Sequence, residues 1–213
     1  MFKRTAITLF CLLVCLSLLN CQQSRPVLYE DTEGKGYRDY DSPDNLIMNF
    51  TDAWCRLDIQ EYRDQVLYDG EEVSTDALLY EPFKFYFIEP DDTYGLAWGY
   101  DEEVDHTAGL FSGLPSRDGS LPGVEYIDLE FISLSEWMSP ENPHDVQGDQ
   151  YPLGTLYRNY ATQMQITLKR QREGSGAIAM SVKDTVRFYV IPVSVGEGVE
   201  FRIWKWMDLD RGN

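Results

Sequence analysis

The hydrophobic period of this chain turns from helical to alternating, and that change restricts its fold more than any other feature. Leu46, Ile47, Phe50, Ala53, Trp54 and Leu57 recur at helical spacing and make one apolar stripe. From Phe83 onward, apart from a short helix over 101–111, the spacing is two. Phe83, Phe85 and Phe87 alternate with Lys84 and Tyr86, and Ile127, Leu129 and Phe131 alternate with acids. Tyr160, Thr162, Met164, Ile166 and Leu168 share one face, as do Ile178, Met180 and Val182 and then Val186, Phe188 and Val190. Such alternation gives strands with one buried face. One-sided helices and one-sided strands must bury those faces on each other. The chain is therefore predicted to be α+β: two helices, a strand, a short helix, then a long antiparallel meander.

Local signals place the boundaries. Ser42 as N-cap and Pro43 as first helical residue start the first helix. Asp58, with Glu61 three residues on, starts a second, whose apolar side is Ile59, Tyr62, Val66 and Leu67; Asp69-Gly70 ends it. Pro90-Asp91-Asp92 closes the strand built on Phe83, Phe85 and Phe87. Asp101 is expected to cap a short helix running to Phe111, with Val104, Ala108 and Phe111 inward and Gly113 as its stop. Residues 139–151 carry Pro140, Pro143 and Gly148 and read as loop. Asp184 interrupts an apolar stripe and predicts a bulge or turn with its carboxylate facing water. A last strand is expected over 199–208.

The first 21 residues are an address. Lys3 and Arg4 precede an apolar run from Ala6 to Leu19, the pattern of an export signal and shorter than a bilayer span. Leu18-Leu19-Asn20-Cys21 resembles the lipobox of bacterial lipoproteins. That resemblance implies that residues 1–20 are removed and that Cys21 becomes an acylated first residue. Two or more acyl chains anchor stably where one does not. Gln22 rather than Asp after the cysteine implies the outer membrane, facing the periplasm. Residues 21–41 are polar and read as a tether spanning about 25 Å, and residues 42–213 as the domain.

The sequence carries 18 basic and 36 acidic residues, a formal charge of −18. A body so acidic is repelled by nucleic acid, which excludes nucleic-acid binding. Cys11 and Cys15 lie within the signal and Cys21 in the anchor, so Cys55 is left alone and forms no intrachain disulfide. Beside Trp54 on the apolar helix face, it reads as a packed thiol.

Two stretches carry a fold resemblance. Ser42-Pro43-Asp44-Asn45-Leu46, Phe50, Ala53-Trp54 and Leu57-Asp58-Ile59-Gln60-Glu61-Tyr62 resemble the opening helices of the nuclear transport factor two-like superfamily, whose relatives include ketosteroid-isomerase-like and polyketide-cyclase-like proteins. Phe201-Arg202-Ile203-Trp204-Lys205-Trp206-Met207-Asp208 resembles its final strand. The resemblance spans about residues 42–208. It implies a cone, in which a curved antiparallel sheet wraps the helices and leaves a pocket at the wide end. It also implies a possible homodimer through the sheet face. A lipocalin-like barrel is the competing architecture, and the two N-terminal helices count against it.

Enzymes of that superfamily often set an Asp or His base beside Tyr hydroxyls. Asp184 and His106 are the candidate bases here, Asp184 if it points inward, where burial would raise its pKa. Asp105 cannot easily orient His106, because adjacent helical positions point about 100° apart. His144 sits in a loop without a chemical partner. Phe50, Trp54, Tyr62, Phe85, Phe87, Trp98, Phe188 and Trp206 are candidates to line a pocket for a small apolar ligand, or to fill the core. No HExxH or CxxC pattern supports zinc, and neither Asp208-x-Asp210-x-Gly212 nor Pro90-Asp91-Asp92 matches a calcium loop. No GxSxG, P-loop or GxGxxG occurs, so no cofactor is expected. Asn49-Phe50-Thr51 matches a glycosylation sequon within the first helix. The function expected is a lipid-anchored envelope domain that binds a ligand or partner without catalysis; the alternative is an isomerase, dehydratase or cyclase.

Overall fold

The computed structural model describes residues 36–91, 95–144, 148–170 and 178–209. Cys21 and its neighbours, Asp210 and Gly212 lie outside these. The compact unit begins at Tyr37, and within 37–41 Tyr40 is buried and Tyr37 half-buried. Asn49 explains why. It is fully buried, accepts a hydrogen bond from the Arg38 N–H (2.9 Å) and donates one to the Arg38 carbonyl (2.8 Å). Tyr40 then gives its carbonyl to the Phe201 N–H. The sequon asparagine is thus a structural pin.

Helix α1 (Pro43–Arg56) starts as its sequence predicts, with the Ser42 side chain accepting from Asn45 N–H. Its stripe of Leu46, Ile47, Phe50, Ala53 and Trp54 is buried. Leu57 ends it in the left-handed region at φ 56°, an uncommon state for a residue other than glycine. Asp58 caps the short α2 (Ile59–Glu61), and a π-helical turn over Tyr62–Val66 follows it. Residues Tyr62, Val66 and Leu67 are buried as expected.

Six strands form one curled, unclosed sheet: β1 (Lys84–Asp91), β2 (Gly95–Gly99), β3 (Val124–Ser133), β4 (Leu156–Leu168), β5 (Ile178–Val195) and β6 (Gly198–Leu209), in the order β2-β1-β6-β5-β4-β3. Strands β2 and β3 remain edges, which separates it from a barrel. This is the α+β architecture expected from the sequence, with two differences. Strand β2 was not foreseen, and β1 runs parallel to β6, whereas every other pairing is antiparallel. Helix α3 (Tyr100–Phe111) begins earlier than expected. Gly99, not Asp101, is its N-cap, and the Glu102 carboxylate takes up the Gly99 N–H at 3.0 Å.

Nor does Asp184 mark a bulge. The β4–β5 register runs unbroken through Thr162↔Asp184. The irregularity of β5 lies instead in its pairing with β6, where Tyr189 faces Lys205 but Val190 faces Ile203. Trp204 is the extra residue, and the bulge puts both Trp204 and Lys205 out of reach of water on the outer side of the sheet. The inner face packs Phe188, Val190, Ile203 and Trp206 against α1; the outer face packs Tyr68, Tyr189, Ile191, Val193 and Trp204 beneath Tyr80, Tyr151 and Tyr157.

Candidate functional site

Four strands and α1 converge on one inner cavity. Helix α1 supplies Phe50 and Trp54 one turn apart, β3 Leu129 and Phe131, β4 Thr162 and Met164, β5 Val182, Asp184 and Val186, and β6 Trp206 and Asp208. The free space is about 60 Å³. A buried water needs roughly 10–15 Å³ of such space, so the cavity has room for a few waters. The Thr162 hydroxyl and Trp206 Nε1 are buried there without a hydrogen-bond partner among the described residues.

Phe50 closes the cone. Its ring lies 5.1–5.9 Å from those of Trp54, Tyr62, Phe131, Phe188 and Trp206, the separations of tilted and edge-to-face pairs. Phe85, Phe87 and Trp98 continue the cluster, with Phe85 5.1 Å from Trp206. All eight aromatic candidates thus fall in one cluster. Phe50, Trp54 and Trp206 line the cavity; Tyr62, Phe85, Phe87, Trp98 and Phe188 pack around it.

Asp184 points inward, on the same side of β5 as Val186 and Phe188. The expectation of an outward carboxylate therefore gives way to an acid at the cavity, because no bulge intervenes to flip its parity. Its Oδ1 accepts from the Thr185 N–H at 2.8 Å. Asp208, opposite Val186 on β6, brings a second carboxylate to the same wall. The sequence holds the signal for it: Asp208 shares the parity of Trp206.

His106 is elsewhere. It is exposed, its Nδ1 meets the Glu102 carbonyl, and its ring stacks on Trp98 at 4.9 Å and 15°. It does not line the cavity, so the two candidate bases are not brought together. Asp105 is exposed. Cys55 is half-buried, and burial raises its thiol pKa, consistent with a packed thiol. Among the described residues no cluster of three or more His, Cys, Asp or Glu side chains has a metal-holding arrangement.

The acid that sequence reasoning missed is Glu103. It is fully enclosed between Tyr62, Thr107 and Trp98. Tyr62 donates to its Oε1 at 2.7 Å and Thr107 at 3.1 Å, and the nearby Trp98 indole and His106 ring also favour its charged form. Burial outweighs these donors and raises the Glu103 pKa above its usual 4.5; it also pushes the Tyr62 hydroxyl well up. Glu103, Thr107 and Phe111 form a buried i, i+4, i+8 stripe, which was the available signal. The pair is locked inside the core and does not reach the cavity lining.

No protein-family model matches the sequence, and no curated protein does. Solved structures do show a likeness. A conserved protein from Planctomyces limnophilus is 11% identical, with 77% of this chain and 89% of that one covered and a TM-score of 0.44. A protein from Kribbella flavida is 8% identical over 78% and 85%, with a TM-score of 0.46. An NTF2-like protein of unknown function in nutrient uptake from Rhodospirillum rubrum is 10% identical over 79% and 97%, with a TM-score of 0.36. At such identities and scores these likenesses carry nothing about a site, which rests on this chain's own residues.

Proposed function

We propose that this protein is a lipid-anchored domain of the bacterial cell envelope that binds a small ligand or partner and catalyses no reaction. The observation that supports this most is the volume of the inner cavity, about 60 Å³, against roughly 300–1,000 Å³ for ligand pockets. The aromatic residues of the cone act as core, and recognition falls to the outer surface. In this reading Cys21 carries the acyl chains, and the polar segment behind it holds the domain off the outer membrane on its periplasmic side. A homodimer through the sheet face would meet a polar wall on the β3–β5 half, where Asp128, Glu130, Gln163, Gln165, Ser181 and Lys183 lie together.

Fractionation of the host cell tests the anchor. Cys21→Ser should move the protein from the membrane to the soluble fraction, and an unchanged distribution overturns the anchoring. One observation favours a second reading, an enzyme: Asp184 and Asp208 both line the cavity. Metabolite profiles of a strain carrying Asp184→Asn and Asp208→Asn decide between the two. Binding without catalysis leaves the profile unchanged at equal protein level; accumulation of one compound with loss of another establishes the enzyme.

A further inference from the structure

The outer face of the sheet carries a larger cleft, of about 430 Å³. Its floor is Tyr157 of β4 with Arg187 and Tyr189 of β5; its wall is Tyr151, and Glu141, Asn142 and His144 form its rim. The rings are organised in series. Tyr151 stacks on Tyr189 at 5.5 Å and 24°, and Tyr189 lies 5.4 Å from Tyr157. The Arg187 guanidinium sits over the Tyr157 ring, 4.8 Å from its centroid.

Arg187 is held as a fixed donor. Its Nε donates to Asn159 Oδ1 at 2.8 Å and its Nη1 to the Tyr189 hydroxyl at 3.3 Å. Among the described residues no carboxylate pairs with it. The other half-buried or buried arginines, Arg158 and Arg202, each hold two. In a chain with twice as many acids as bases, a half-buried guanidinium left to hydroxyl, amide and ring partners is out of pattern. Guanidinium groups pair with carboxylates through paired N–H donors, and tyrosine faces give a flat ring somewhere to stack.

We propose that this cleft binds a compact monoanion: a carboxylate borne on a six-membered ring, with Arg187 on the carboxylate and the tyrosine series against the ring. The charge of the chain argues for one negative charge on the ligand, because a polyanion would be repelled. The exposed Glu141 at the rim opposes even a single charge, so removing it should tighten binding. The ring is either aromatic or a pyranose, and the two sources are separable by probe.

The proposal rests on the binding reading above. It is tested by calorimetric titration of the detergent-solubilised full chain with benzoate and glucuronate, against the neutral benzamide and glucose. At least one acid should bind saturably, about tenfold or more tighter than its neutral counterpart, and which acid does so names the ring. Arg187→Gln should remove that preference, and Glu141→Gln should strengthen acid binding. Acids and neutrals binding alike, or neither acid binding, overturns the site, and the wild-type comparison decides even if Arg187→Gln does not fold. The two readings fail separately. A native ligand retained in mass spectra of both wild type and Arg187→Gln keeps the binding function and overturns this cleft. Turnover of a bound acid overturns the non-catalytic reading and leaves the cleft standing.

Discussion

The two faces of the sheet bury charge in opposite ways. Behind the inner face, Glu103 is enclosed with the Tyr62 and Thr107 hydroxyls as its donors, and the cation that acts on it is the exposed ring of His106. On the outer face the buried groups are cations. Arg202 bonds Glu72 at 2.8 Å and Glu200 at 2.9 Å and lies over the Tyr40 ring. Lys205 bonds Asp149 at 2.9 Å and lies 4.2 Å from the Trp204 ring centroid. The difference follows from what covers each face. Helix α1 brings an apolar stripe to the inside, and the ion pair it makes there, Asp44 with Arg158, is exposed on the acid's side. Loops cover the outside, and their carboxylates Glu72 and Asp149 are clamped by Arg202 and Lys205 of β6. The acidity that repels nucleic acid is also what fastens these loops.

If that contrast holds, the largest loss comes from the inner face, where packing dominates. Phe50→Ala removes the ring that touches five others and should cost about 4 kcal/mol in urea unfolding. A cost near 1 kcal/mol would mean that the inner cluster is loosely packed. On the outer face, Arg202→Ala strands two carboxylates and should cost about 3 kcal/mol. Adding Glu72→Gln and Glu200→Gln to that variant should recover part of the loss, because the uncompensated charges are then gone. No recovery would show that Arg202 acts through its stem and ring contacts rather than through charge.

What the sequence disclosed and what it hid divide along the same line. The change of period, the Ser42 and Asp58 caps and the inward parity of the aromatic residues are local, and all were legible. Strand β2 was not, because Gly95-Leu96-Ala97-Trp98-Gly99 is too short to show a period and owes its strand to pairing with β1. The parallel β1–β6 contact joins residues far apart in the chain and leaves no local mark. The Trp204 bulge depends on register with β5, so the burial of Lys205 could not be read from alternation. Of the candidate site, the aromatic set and Asp184 were visible; Asp208 was read as the end of the last strand and not as a site residue. Glu103 was hidden by its own chemistry, since an acid in a helix ordinarily marks the wet side.

The smallest expected effect is also the one that separates the faces most cleanly. Glu103→Gln keeps an acceptor oxygen for Tyr62 and Thr107 and removes the ionisable group. It should cost about 1 kcal/mol near neutral pH, the scale of one weakened hydrogen bond. The pH dependence carries the sign. Folding raises the Glu103 pKa above 4.5, so the folded state keeps a proton that the unfolded chain has released. The stability contributed by this group is full below pH 4.5 and is lost as pH rises through the raised folded value. The glutamine variant lacks that loss. Wild type should therefore exceed the variant by more at pH 4 than at pH 7 when unfolding is followed across that window. The opposite trend would mean that Tyr62, Thr107 and Trp98 hold Glu103 as a carboxylate despite its burial, and that the inner face tolerates charge as readily as the outer one.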